Sequence, residues 1–161
     1  MLPTCVTMLR MSNVKPYDLR SGLGYRLSLA ARLNQMEFES DLTTLGITRQ
    51  MWCVLIAVGQ HQITRPTEIA AYIGINRTAA SRSIRQMAQR GLLERRNGTQ
   101  DKRTNEVNLT EKGVETLQKA LPMAQNAQNN LRSRLSENEL SQLSNLLDKL
   151  IQTNNPPVAG I

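Results

Sequence analysis

Apolar residues recur along this chain with a period of three to four in some stretches and two in one short stretch, and the change of period divides it into elements. From about Pro16 into the low forties, Leu19, Leu23, Leu27, Ala30 and Met36 keep a rough three-four spacing, which predicts a first helix ended by the glycine of LTTLGIT. Thr48 then caps a second helix, RQMWCVLIAVGQ, with Trp52, Leu55, Ile56 and Val58 apolar and an end near Gly59. A third opens with Pro66 in its first turn and Glu68 near its positive end, turns Ile69, Ala70 and Ile73 inward, and breaks at Gly74. Asn76 is the N-cap of a fourth, which Gly91 stops.

That fourth helix is two-faced. Ala80, Ile84, Met87 and Ala88 fall on one side, while Arg77, Thr78, Ser81, Arg82, Arg85 and Gln89 fall on the other. Residues 65–91 thus read as helix, tight turn, helix, with hydroxyls and guanidinium groups on the second helix. Such a helix can lie in a DNA major groove and bond base edges and phosphates.

After Gly91 the period falls to two. LLERR, a polar tip Asn97-Gly98-Thr99-Gln100, and TNEVNL, in which Val107 and Leu109 alternate, predict a two-stranded hairpin with Arg95, Arg96, Lys102 and Arg103 around its tip. A hairpin is marginal alone, so it must pack on the helices before it. Placed directly after a basic helix it forms a wing, and an arginine at a wing tip can enter a narrow, negative minor groove.

Thr110 caps the long helix EKGVETLQKALPMAQNAQNNLRSRL, in which Val114, Leu117, Leu121, Ala124, Leu131 and Leu135 keep helical spacing and Pro122 predicts a bend. Ser136 and Glu139 form a capping box for the last helix. Its Leu140, Leu143, Leu147 and Leu150 alternate at three and four residues, the pattern of a seam between two chains, and they are assigned to a dimer interface.

Charge agrees with this layout. Of 20 Lys/Arg and 13 Asp/Glu, nine basic and three acidic residues lie between 65 and 103, while the rest of the chain is close to neutral. Concentrated positive charge is the footprint of a polyanion-binding module. Aromatic content of 3% leaves the core to Leu, Ile, Ala and Met. One histidine, His61, and two cysteines, Cys5 and Cys53, supply neither a metal-ligand spacing nor a hydrolase constellation, so no cofactor, no metal and no enzyme activity are expected. No apolar run is long enough to span a bilayer and the N-terminus lacks the features of a signal peptide, so no membrane partner and a cytoplasmic location are expected.

In their order and spacing these segments resemble the MarR family of bacterial transcription regulators over roughly residues 16–152. TEIAAYIGINRTAASRSIRQMAQRGLLERR is similar to the family's helix-turn-helix and first wing strand, DKR to its wing motif, and LTEKG to the opening of its long dimer helix. Pro122 stands where many members carry a proline.

The resemblance implies a mainly α fold with a small β-hairpin wing, a winged helix-turn-helix flanked by long N- and C-terminal dimerisation helices. The DNA-binding lobe would be residues 48–110 and the dimerisation lobe 16–47 with 111–152. Residues 1–15 would be a disordered extension and 153–161 a frayed tail. It implies a homodimer on a pseudo-palindromic double-stranded operator, a repressor released by a small aromatic acid or phenolic ligand. Arg103 would enter the minor groove and Asp101 would orient the wing. Arg65, Asn76, Arg77, Thr78, Ser81, Arg82, Arg85, Arg95 and Lys102 would make the remaining DNA contacts. Arg65-Pro66 departs from the usual Ser or Thr cap, exchanging cap quality for a phosphate-facing charge. Tyr25, Arg26 and Trp52 would line the effector pocket, Arg26 pairing a carboxylate. Two alternatives stand beside this: a winged helix that binds a protein partner, and a regulator switched by oxidation of Cys53.

Overall fold

The computed structural model describes residues 16–97 and 105–152. The expectations for 1–15 and 153–161, and for Asp101, Lys102 and Arg103, lie outside the described residues. A single turn of 3₁₀ helix, Leu19–Ser21, is followed by α1 (Leu23–Thr44), α2 (Arg49–Gly59), α3 (Pro66–Ile73), α4 (Arg77–Gln89), β1 (Leu93–Asn97), β2 (Asn105–Leu109), α5 (Glu111–Arg132) and α6 (Glu137–Gln152). By contact the chain forms two compact units whose boundary lies within α1, between Leu33 and Asn34.

In the first unit the predicted start at Pro16 is corrected. Asp18 caps the 3₁₀ turn by accepting from the Arg20 N–H at 3.0 Å, and Gly22 is extended, so the α-helix begins at Leu23. An Asp two residues before an amide closes such a local turn in competition with the helix. Leu19, Leu23, Leu27, Leu29 and Leu33 are exposed in this unit.

The second unit holds the core. Leu42, Met51, Val54, Leu55, Ile69, Ile84, Met87 and Val107 are its largest fully buried side chains. They come from the end of α1 and from α2, α3, α4 and β2. Burial of each such side chain is worth about 1.5–3 kcal/mol. Trp52 packs edge-on against Phe38, ring centroids 5.6 Å apart at 84°, and belongs to the rim of this core.

The predicted caps are in place. Thr48 accepts from Met51 N–H, Asn76 from Ala79 N–H and Thr110 from Gly113 N–H, and Ser136 and Glu139 bond reciprocally. α3 ends at Gly74 in the left-handed region, φ 71°, where its N–H returns to the last carbonyls of the helix. α5 runs through Pro122 to Arg132, three residues short of the predicted end.

β1 and β2 pair antiparallel, Leu93 opposite Leu109 and Arg95 opposite Val107. The hairpin is fastened on both sides. Val107 N–H donates to Thr64 carbonyl at 3.0 Å, tying β2 to the segment before α3. Thr110 N–H donates to Leu92 carbonyl at 3.2 Å, and the Thr110 hydroxyl donates to Gly91 carbonyl. Helix pair, helix and hairpin together make a winged helix-turn-helix.

Candidate nucleic-acid interface

Amphipathicity of α4 sets the site. Ala80, Ser83, Ile84 and Met87 are buried, and this forces the remaining residues of a 13-residue helix outward. Arg77, Thr78, Ser81, Arg82 and Arg85 are all exposed and together line one shallow hollow on the helix surface, with no acidic side chain among them. A second hollow alongside is lined by Thr48, Gln50, Asn76, Thr78, Ala79, Arg82, Ser83 and Gln86. Thr78 and Arg82 border both.

The N-terminus of α4 is held by two bonds. Asn76 Oδ1 accepts from Ala79 N–H at 2.8 Å. Gln50 Nε2, on α2, donates to Ala79 carbonyl at 3.2 Å and locks the first turn of α4 to the helix behind it. Asn76 therefore uses its oxygen in the cap, and only its NH₂ faces outward chemistry. Free backbone N–H groups at such a helix start, next to Arg77, favour an anion.

The other expected contact residues stand apart from this cluster. Arg65 flanks Pro66 as the N-cap of α3 and makes no side-chain cap bond. Its Nη1 instead meets Glu68 Oε1 at 3.3 Å, with about half of each side chain exposed. Such a pair is worth little, ~0–1 kcal/mol, and can open toward a phosphate. Arg95 is exposed on β1. Gln50 and Gln86 are the site residues that periodicity does not reveal. Gln50 lies on a different helix, 29 residues from the carbonyl it holds.

The expected effector residues are divided. Tyr25 and Arg26 line a hollow in the first unit with Arg20, Leu29, Ala30 and Leu33. Trp52, in the second unit, packs against Phe38. A separate pocket of about 510 Å³ in the second unit is bounded by the end of α1, the start of α2 and the α3–α4 turn, and includes Glu39, Arg49, Gln50, Cys53 and Ile75. Burial pushes the Cys53 thiol up from its ordinary value, with the Arg49 cation pulling the other way. A thiol held up by burial is a poor thiolate source at neutral pH. His61 is exposed and its ring lies 4.9 Å from that of Tyr72. Among the described residues no group of three His, Cys, Asp or Glu could hold a metal ion.

An exposed helix surface, cationic and free of carboxylates, with a hairpin fixed beside it, defines the class of protein. Residues 45–104 match the model of the MarR family. The chain is 34% identical over 112 residues to the transcriptional repressor MprA of Escherichia coli (strain K12), spanning 68% of this chain and 64% of MprA's length. It is 33% identical over 115 residues to the HTH-type transcriptional regulator BilQ of Clostridium symbiosum (strain WAL-14163), spanning 71% of this chain and 80% of BilQ. A mutant MarR from E. coli, solved with operator DNA, superposes with a TM-score of 0.75 at 24% identity over 84% of this chain and 99% of that one. BpsR of Bordetella bronchiseptica, whose DNA binding is regulated by 6-hydroxynicotinic acid, gives 0.75 at 21% identity over 84% and 97%. The chain belongs to the MarR family, whose members are transcriptional regulators rather than enzymes.

Proposed function

We propose that this protein is a homodimeric, sequence-specific DNA-binding transcriptional regulator, a repressor released from a pseudo-palindromic operator by a small aromatic acid or phenol. The observation that carries the reading is the hollow on α4, where Arg77, Thr78, Ser81, Arg82 and Arg85 converge without a carboxylate. These groups donate to phosphates and base edges, and Arg95 on β1 extends the positive surface toward the wing. Lys102 and Arg103 add phosphate and minor-groove contacts there, and Asp101 orients the wing. MprA's name as a repressor supports the direction of control, and BpsR supports an aromatic acid as effector. In the first unit Arg26 can pair the carboxylate while Tyr25 covers the ring. The raised Cys53 thiol speaks against release by thiol oxidation. Among the described residues no single helix is long and apolar enough to cross a membrane.

In the dimer two α4 helices must stand about 34 Å apart to enter successive major grooves of one operator. An effector that favours another separation weakens binding without touching DNA. The test is a mobility shift with DNA upstream of the protein's own gene across a salt series. Specific binding whose logarithm falls with log salt at about −0.9 per phosphate contact supports the reading. Arg103→Ala should raise the dissociation constant, and an unchanged value would remove the wing from the interface.

A further inference from the structure

The outward face of α4 can be ordered by angle. Successive helical residues turn by about 100°, and the buried Ala80, Ser83, Ile84 and Met87 fix the inward direction. Thr78, Arg82 and Arg85 lie opposite, followed by Gln89 in the last turn; Arg77 and Ser81 lie on one flank and Gln86 on the other. Arg82 and Arg85 are exposed, and neither has an ion pair or hydrogen bond among the described residues. Their two forks are therefore free donors on the part of the helix that faces directly away from the core.

We infer that Arg82 and Arg85 read two neighbouring guanines in the major groove of each half-site. This rests on the DNA-binding reading above and adds which base is recognised. The guanidinium fork matches the O6 and N7 acceptors of guanine bidentately. Three residues along a helix advance about 4.5 Å, close to the roughly 3.4 Å between stacked bases of one strand. The two arginines thus address adjacent steps. The other readouts are less well served at the centre of this face. Adenine is read by Asn or Gln, but Asn76 Oδ1 is engaged in the cap, Gln86 faces the flanking hollow, and Gln89 stands in the last turn. Cytosine is read by a carboxylate acceptor, and α4 contains no Asp or Glu. One turn toward the N-terminus, the Thr78 methyl can lie against a thymine methyl.

The experiment selects binding sites for the full-length protein from random-sequence duplexes, then modifies the selected site. Each half-site should contain two adjacent G·C pairs. Replacing either guanine by 7-deazaguanine, which removes N7, should weaken binding about 5- to 10-fold, as expected for half of a bidentate contact. Replacing it by inosine, which keeps N7 and O6, should leave binding within about 2-fold. Arg85→Leu, which removes every donor at that position, should abolish the 7-deazaguanine effect at one of the two guanines and leave the effect at the other. Half-sites enriched without adjacent guanines, or equal affinity for the 7-deazaguanine sites, would overturn the assignment and place both arginines on phosphates. Enrichment of no sequence at all would overturn the DNA-binding reading itself, and this inference with it. The base analogues need no variant protein, so the outcome does not depend on how a substitution folds.

Discussion

Gly113 stands where α5 begins against the start of the wing. A Cβ there would lie well inside van der Waals distance of the Leu92 carbonyl oxygen, a backbone atom already accepting from Thr110 N–H. Backbone cannot step aside as a side-chain tip can. Gly113→Ala is expected to destabilise the fold by about 3 kcal/mol, the upper part of the usual range for overpacking, as read from urea unfolding followed by circular dichroism. Stability within about 0.5 kcal/mol of the parent would mean that the helix start moves freely relative to β1. Cys53 makes a second residue-level prediction. Its thiol is raised by burial, so the folded state keeps its proton where an unfolded chain has lost it. Stability is then fully present below the ordinary thiol range and falls as pH rises through the folded value. Alkylation of Cys53 by iodoacetamide, mapped by mass spectrometry at neutral pH, should be slower in the native protein than in urea. Equal rates would restore the thiol switch as a reading.

At the scale of elements, local chemistry was largely legible. Thr48, Asn76, Thr110 and Ser136 each cap the helix that the apolar period predicted, because a cap depends on residues only three positions apart. Asn76→Ala should cost about 1 kcal/mol of stability through the lost cap, and should also lower affinity for DNA because the first turn of α4 frays. A thermal melt and a mobility shift on the same variant separate the two effects; loss of neither would contradict the cap. The Ser136–Glu139 box adds a pH test. The Ser136 N–H and hydroxyl hold the Glu139 carboxyl below its ordinary value, so its contribution is present above the unfolded value and lost as pH falls through the folded one. Glu139→Gln should flatten that acid-side loss. What the sequence did not reveal at this scale is long-range. The bonds from Gln50 to Ala79, Val107 to Thr64 and Arg90 to Gly46 join segments with no shared periodicity. The true start of α1 was hidden because a leucine spacing continues through the Asp18-capped turn.

At the scale of the whole molecule, periodicity reports which face is apolar but not what covers it. Leu143, Leu146, Leu147, Leu150 and Ile151 on α6 are 39%, 57%, 36%, 47% and 67% exposed, and Leu140 is half-buried. Scattered exposed leucines are ordinary, but a contiguous apolar stripe on one helix marks an interaction surface. In the proposed homodimer its occupant is the same stripe on a second chain, since a two-fold interface brings each face against its own copy. In that proposed dimer the same symmetry would set two α4 helices on one operator, so dimerisation and operator binding are expected to be lost together. Leu143→Asp or Leu147→Asp places a carboxylate in that seam twice, once from each chain, and like charges desolvated together oppose association strongly. The exposed position spares the protomer's own core, whose buried residues come from the end of α1 to α5. Sedimentation equilibrium should therefore show a folded monomer with unchanged core unfolding and a loss of specific operator binding. A variant that still sediments as a dimer would put the interface on another surface, and a monomer that binds the full operator as tightly as the parent would separate DNA recognition from dimerisation.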